Sequence, residues 1–443
     1  MTARLADLSA CFEGVIPSII ATAAADGTPN ISYLSQVVMV DERHVGLSNQ
    51  FFSKTASNIR ANPQAALLLV DARNGEQFRL DMVFVKALGA GEVFEHLRSQ
   101  LQAIAMQVGM AGVFNLRGVD VYEVVAVHQV PCPVAAVSPA FGQPAGLRQA
   151  ADIVKAISEQ SDVDGIVDTV LDRIRACFGY ESTMLLLNDA SRSVLTTLGS
   201  RGYDDSGVGS EVTLGEGIIG AAAAGRRLIK VSDMSRVRRL GEAIRSSASD
   251  ENRTRTIALP GIADPMSQIA VPMIAKGVVQ GVLFAESRER LAFTSEDEAA
   301  LSVVAGQAAA ALLIAENLAG ETPAPVAAGA SQAAIDRPFK ITHHAYDDSV
   351  FIDNEYVIKG VSGRLLMFML EVNSREGRRE FTNRELRLNG TIRLPDIRDN
   401  LESRLLLLRR RLEDKAFPLR LAKTGRGRFS LELSGRPLLD HGS

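Results

Sequence analysis

Leu214-Gly-Glu-Gly-Ile-Ile-Gly220, followed by Ala221-Ala-Ala-Ala-Gly-Arg-Arg-Leu-Ile-Lys-Val-Ser-Asp233, sets a glycine-rich turn before a short helix and then a strand. Further on, Ser267-Gln-Ile-Ala-Val-Pro-Met-Ile-Ala-Lys-Gly-Val-Val-Gln-Gly-Val-Leu-Phe-Ala285 reads as two strands joined around Lys276-Gly277. Phe293-Thr-Ser-Glu-Asp-Glu298 then opens a helix that runs through Ala299 to Asn317. Thr294 or Ser295 caps it, and Glu296, Asp297 and Glu298 complement the positive end of its dipole. With a leading helix after Gly146 and this closing helix ending near Leu318, strands and helices alternate in an α/β arrangement.

These blocks, in this order, resemble the GAF family over residues 146–318. The resemblance implies an α/β sandwich with a small-molecule pocket on one face of an antiparallel sheet, and terminal helices that form a homodimer interface. A dimerising scaffold without ligand is the alternative, because fold does not fix function. All six histidines lie outside residues 146–318, which excludes a histidine-ligated haem or metal there. Cys177, in Ile174-Arg-Ala-Cys-Phe178, falls on the apolar side of a leading helix and reads as core rather than a bilin attachment point. The asparagine-lysine-phenylalanine-aspartate-glutamate signature of cyclic-nucleotide-binding members is missing, so the GAF ligand stays unknown. Ser235-Arg-Val-Arg-Arg-Leu-Gly-Glu-Ala-Ile-Arg245 offers arginines for an anionic ligand, with a solvated helix face as the plainer reading.

Working toward the N-terminus, residues 13–130 alternate apolar and polar positions, with turns at Asp26-Gly27 and Asn74-Gly75 and a helix over 93–110, an antiparallel β unit. Gly46-Leu-Ser-Asn-Gln-Phe-Phe-Ser-Lys-Thr-Ala-Ser-Asn-Ile-Arg-Ala-Asn-Pro63 ends a strand in a hydroxyl- and lysine-bearing turn that starts a helix, a geometry suited to phosphate. With Asp26-Gly-Thr-Pro-Asn-Ile-Ser32 upstream, it resembles the pyridoxamine 5′-phosphate oxidase-like FMN-binding split barrels over residues 10–130. The resemblance implies FMN as cofactor, with Ser53, Lys54 and Thr55 on its phosphate and Ser48, Asn49 and Gln50 beside its isoalloxazine. The substrate-binding Arg and His portion of the oxidases proper has no counterpart after Tyr122 to His128, and no catalytic residue is assigned. A barrel that has lost its cofactor is the alternative. Cys132-Pro133, in the connection that follows, resembles the Cys-Pro element of haem-regulated proteins, against which a linker cysteine is the simpler reading.

Toward the C-terminus, residues 320–338, GETPAPVAAGASQAAIDRP, have linker composition. Residues 339–433 combine a hairpin around Asn354-Glu355, an apolar helix over 362–372, a short helix capped by Thr382, and a third helix over about 397–413. In the third, Leu401, Leu405, Leu408 and Leu412 form the core-facing stripe, which sends Arg404, Arg409, Arg410 and Arg411 away from the core. Two strands then flank the basic turn Thr424-Gly-Arg-Gly-Arg428. The series resembles the winged helix-turn-helix effector domain of OmpR/PhoB-like response regulators. That implies DNA binding, with phosphate contacts from Arg409, Arg410, Arg426 and Arg428, Arg411 on the same basic face, and Arg404 at a base edge. Asp399 and Glu402 in the first turn, and outward-facing Leu406 and Leu407, suit a protein interface instead.

The whole chain of 443 residues, 46% apolar and 23% charged, is a multidomain α+β protein rather than a disordered one. Its net charge of −4 is divided unevenly, since residues 337–443 hold 21 Lys and Arg against 15 Asp and Glu. A basic tail thus follows an acidic body. Cys11, Cys132 and Cys177 are too few and scattered for a disulfide framework or a zinc site. No signal peptide is visible and no apolar run approaches membrane-spanning length, so a cytoplasmic location and no membrane partner are expected. The expected function is a one-component transcriptional regulator, a homodimer that couples a small-molecule effector or redox signal to DNA. An FMN-dependent oxidoreductase regulated by its GAF domain and a non-catalytic protein-binding scaffold are the alternatives.

Overall fold

The computed structural model describes residues 4–34, 36–49, 53–107, 116–131, 145–234, 257–318, 338–394, 400–425 and 427–442. Cys132-Pro133, the arginines of 235–245, the linker 320–337, Gln50, Asp399 and Arg426 lie outside them. Period-two alternation of apolar residues builds the N-terminal sheet from β1 (Ser18–Ala23), β2 (Pro29–Leu34), β3 (Val37–Met39), β4 (His44–Asn49), β5 (Gln64–Val70), β6 (Gln77–Leu88) and β7 (Gly118–Val130). Helix α1 (Ser53–Ala61) lies between β4 and β5, and α2 (Glu92–Gln107) between β6 and β7. The strand order is β2-β1-β5-β6-β7-β4-β3, antiparallel throughout. Ile20, Leu47, Leu67, Leu69, Leu80 and Met82 fill the interior, and a 3-10 helix, Leu5–Phe12, adds Leu5, Leu8 and Cys11. At the turns read from the sequence, Asp26-Gly27 and Asn74-Gly75, both glycines adopt positive φ.

The central part begins with α3 (Leu147–Ser158) and α4 (Val163–Phe178) and continues through β8 (Ser182–Asp189), β9 (Val194–Arg201) and β10 (Glu211–Thr213). After α5 (Gly217–Gly225) come β11 (Ile229–Val231), β12 (Ser267–Ala275), β13 (Val278–Ser287) and the closing helix α6 (Ser295–Leu318). The six strands lie in the order β10-β9-β8-β13-β12-β11. Strand side chains alternate between two separate cores: Leu185, Leu283 and Ala285 pack under α3, α4 and α6, whereas Met184, Leu186, Val282 and Phe284 pack under α5. Covered on both faces, the sheet shows runs of apolar residues. Thr294 caps α6 as expected, accepting from the Asp297 amide at 3.3 Å. Contrary to the expectation of no run of membrane-spanning length, α6 is long and apolar enough by composition to cross a bilayer. Its Ala300, Leu301, Val304, Ala305, Ala308 and Leu312 belong to the core under the sheet.

The C-terminal unit holds β14 (Pro338–His344), β15 (Ser349–Ile352), β16 (Glu355–Ile358), α7 (Gly360–Glu376), β17 (Glu380–Thr382) and α8 (Asn383–Leu388). It ends with α9 (Leu401–Asp414), β18 (Leu419–Gly425), β19 (Arg428–Leu433) and β20 (Arg436–Gly442). One sheet runs β16-β15-β14-β20 and the other β17-β19-β18. The hairpin turn has Asp353 and Asn354 both at positive φ, and Thr382 caps α8 by accepting from the Glu385 amide at 3.3 Å. The chain adds a strand beyond Leu433: β20 pairs in parallel with β14, so the ends of the unit lie side by side.

The three parts touch. Lys230, on β11, reaches Glu13 of the barrel at 2.6 Å and Glu298 of α6 at 2.6 Å. Helix α9 lies against the central part, and Leu406 is buried in the core beneath α4 and α6 rather than in its own unit's core.

Candidate functional site

On the barrel, β4 delivers the chain to α1. Ser48 is buried, with its hydroxyl accepting from the Gln36 amide at 3.2 Å, and Asn49 donates to Asp120 at 3.1 Å. Burial raises the Asp120 pKa, and the Asn49 hydrogen bond opposes it. Thr55 is also buried, its hydroxyl 3.0 Å from both the Asn30 amide nitrogen and the Ser32 hydroxyl. These hydroxyls therefore belong to the barrel wall. Lys54 is exposed, and the first turn of α1 carries no acidic residue. Ser53 begins the helix. The described residues read as flavin contacts thus separate into an exposed lysine in the first turn of α1 and a set of polar groups in the barrel wall.

In the central part, α5 fills one face of the sheet with Ile218, Ile219, Ala222 and Ala223. A cleft of about 410 Å³ opens at the edge of the domain where β8 begins and β13 ends, lined by Tyr180, Gly202, Ile262, Glu286, Phe293 and Asp297 among others. Glu286 is buried there, accepting from the Ile262 amide at 2.9 Å and the Gln268 side chain at 2.9 Å. Burial pushes its carboxyl pKa up, against those hydrogen bonds. Asp297 accepts from the Ala145 amide at 2.7 Å and from the Tyr180 hydroxyl. Both carboxylates are engaged by the fold. Among the described residues no group of three or more His, Cys, Asp and Glu has the arrangement of a metal site.

The basic helix α9 is the most heavily engaged of the sequence-derived sites. Arg409 donates to Asp164, and Arg410 reaches Asp164 at 2.6 Å, Asp168 at 3.0 Å and the Leu198 carbonyl at 3.1 Å. Arg404 faces Asp189 at 3.4 Å, and Lys423 on β18 meets Asp162 at 2.9 Å. Arg411 turns inward, donating to the Val357 carbonyl at 3.1 Å and the Tyr356 carbonyl at 3.2 Å. The outward orientation expected for these guanidinium groups is therefore corrected. A helical wheel separates a helix's own core face from everything else, but α9 is enclosed on both sides, and Arg404 and Arg411 are buried. Arg428 begins β19, in the hairpin beside α9.

The carboxylates also serve α4 itself. Asp162 caps the helix, accepting from the Gly165 amide at 2.8 Å, and Asp164 sits in its first turn, where the dipole favours anions. Burial raises the Asp164 pKa, but hydrogen bonds from Arg409 and Arg410 outweigh it and hold the carboxyl below its usual range. Asp162 is lowered likewise, by Gly165 and Lys423 against burial. For Arg404, burial is the larger influence and lowers the pKa, against the attraction of Asp189. Residues 162–168 were not among the sites read from the sequence. Their signal was an acidic body facing a basic tail.

Residues 160–313 match the family model described as GAF domain, and residues 7–126 match that described as pyridoxamine 5′-phosphate oxidase. No curated protein matches the chain. Among solved structures, the GAF domain from an Acinetobacter phosphoenolpyruvate-protein phosphotransferase is 19% identical with a TM-score of 0.32, over 40% of this chain and 96% of its own. The free methionine-R-sulfoxide reductase from Neisseria meningitidis, solved with its substrate, is 18% identical with a TM-score of 0.30, over 40% and 98%. An FMN-binding protein from Syntrophomonas wolfei is 16% identical with a TM-score of 0.24, over 28% and 84%. The chain thus carries an N-terminal domain like that of pyridoxamine 5′-phosphate oxidase and a central GAF domain, the combination of a sensory or signalling protein.

Proposed function

We propose that the chain is a one-component transcriptional regulator in which the barrel and the GAF domain govern a C-terminal winged helix. The observation that carries this reading is the seating of Arg409 and Arg410 on Asp164 and Asp168. Carboxylates there occupy the role that DNA phosphates take on an arginine-rich recognition helix, so docking and DNA binding compete for the same guanidinium groups. The order of sheet, α7, α8, α9 and the β18–β19 hairpin supports a winged helix with the hairpin as wing. In the released state Arg404, Arg409, Arg410, Arg426 and Arg428 form its DNA-facing set, while Arg411 stays bound to the Val357 and Tyr356 carbonyls of its own unit. A small-molecule effector binds the GAF domain, and the chain assembles as a homodimer through α3 and α6, on which Leu147, Val303 and Ile314 are exposed.

The barrel fits the phosphate end of FMN. Lys54 and the backbone amides at the start of α1 hold the anion, while Ser48, Asn49 and Thr55 shape the wall behind it. A bound flavin supplies a redox-active ring. The absorption spectrum of the purified chain, before and after added FMN, tests this part. Flavin that is retained by the parent and weakened in Lys54→Glu supports it, and a colourless chain that takes up no FMN removes it.

The DNA reading is tested by titrating duplex DNA into the full chain and into Asp164→Asn/Asp168→Asn. The variant should bind at least tenfold more tightly, with affinity falling steeply as salt rises. If the variant binds no DNA across the same range, or binds without salt dependence, the winged helix serves another partner.

A further inference from the structure

The N-cap residue of helix α9 does not cap it. Asn400, at the N-cap position, is left-handed with φ 45° and makes no side-chain capping bond. The first amides of any helix lack intrahelical partners, and when buried they need acceptors from elsewhere. Here a side chain from the GAF domain supplies them. Glu316, in the last turn of α6, accepts from the Ser403 amide at 2.7 Å, from the Ser403 hydroxyl, and from the Glu402 amide at 3.2 Å. The Glu316 backbone carbonyl accepts from Arg387 of α8 at 3.2 Å, so both helices of the turn hang on the same residue.

The other end of α6 is fixed inside the GAF domain. Asp297 is tied to Ala145 and Tyr180 and, with Thr294, forms the N-terminal cap. At 1.5 Å per residue a helix of 24 residues is about 36 Å long. It is a rigid rod joining the cleft-lining Asp297 to the start of α9.

We propose that Glu316 is a positioning residue that caps α9 from the GAF domain, a latch through which movement of α6 releases the C-terminal unit. Capping bonds are short and directional, so a displacement of α6 by about an ångström breaks them. Losing the cap leaves α9 held by the contacts of Arg404 with Asp189, of Arg409 and Arg410 with Asp164 and Asp168, of Asp414 with Ser206, and of Leu406 with the GAF core. The latch rests on the regulator reading only for what the released helix then binds.

Amide hydrogen exchange of the full chain, read by mass spectrometry, tests it. Replacing a capping acceptor by alanine costs about 1 kcal/mol, which is about a fivefold change in an equilibrium. Glu316→Ala should therefore raise exchange over residues 401–406 about fivefold, with residues 295–312 unchanged. Glu316→Gln, which keeps an acceptor oxygen for Ser403, should remain near the parent. Unchanged protection over 401–406 in Glu316→Ala overturns the latch. Equal loss in both variants, extending into 295–312, overturns it too, by showing that Glu316 serves only its own helix. Exchange that follows the expected pattern in a chain whose released form ignores DNA keeps the latch and removes the DNA reading.

Discussion

Arg410 donates to Asp164 at 2.6 Å across the boundary between the C-terminal unit and the GAF domain, and the two residues are 246 positions apart in the chain. Both side chains are mostly buried, so breaking the pair leaves a charge short of its partner in a poorly hydrated place. Measured by urea unfolding of the full chain, a double-mutant cycle with Asp164→Asn and Arg410→Gln should give a coupling of about 1 to 3 kcal/mol. A coupling near zero would mean that the two side chains do not meet in solution.

Neighbouring leucines on α9 should respond differently. Leu405 belongs to the C-terminal core and Leu406 to the GAF core, although both are buried. Leu405→Ala should destabilise the C-terminal unit by about 2 to 5 kcal/mol. Leu406→Ala should leave that unit folded and loosen its docking, seen as faster proteolysis between residues 319 and 337 with unchanged helical circular dichroism. Identical behaviour of the two variants would place them in one core.

Why the sequence revealed the GAF elements but not this docking follows from range. Lys276-Gly277 and Leu214 to Gly220 announce their turns through local backbone needs, and Lys276 and Gly277 both adopt positive φ in the structure. Thr294 and Thr382 cap their helices for reasons contained within four residues. The GAF-domain partners of Arg404, Arg409 and Arg410 are more than 200 residues away, and no periodicity on α9 encodes them. Leu406 and Leu407, which looked misplaced on a helix facing DNA, were the local trace of the interface. Strand β20 was missed for a similar reason: Pro437 and Gly442 make Arg436–Gly442 a poor strand by itself, and pairing with β14 creates it.

Cys11 should be chemically quiet in the folded chain. Burial in the barrel, with Asp71 and Glu76 nearby, pushes its thiol pKa up to about 12. At pH 8 the thiolate that alkylating reagents require is then scarce. Iodoacetamide at pH 8 should leave Cys11 unmodified in native protein and label it fully in denaturant, read by peptide mass. Rapid native labelling would show that the 3-10 helix carrying it opens readily.

Docking should also have a pH window set by carboxyl groups that shift in opposite directions. Burial raises Glu316 to about 7, against hydrogen bonds from Ser403 and Glu402, with the Glu402 carboxylate adding to the rise. Arg404 and Arg387 are the cations near it. Released, Glu316 returns to the ordinary range near ~4.3. The docked state thus holds this proton more tightly, so the Glu316 contribution is full below the released value and is lost as pH rises through about 7. Asp162 and Asp164 are lowered in the docked state, so their contribution is full above the ordinary aspartate range and is lost on further acidification. The docked form should be firmest near pH ~5 and weaken by pH ~8, by about 3 kcal/mol at most for a single carboxyl shifted this far. Exchange protection of α9, corrected for the intrinsic rate, should follow this course. Glu316→Gln should remove the alkaline loss and keep the acid one. An alkaline loss that persists in Glu316→Gln would assign the titration to another group.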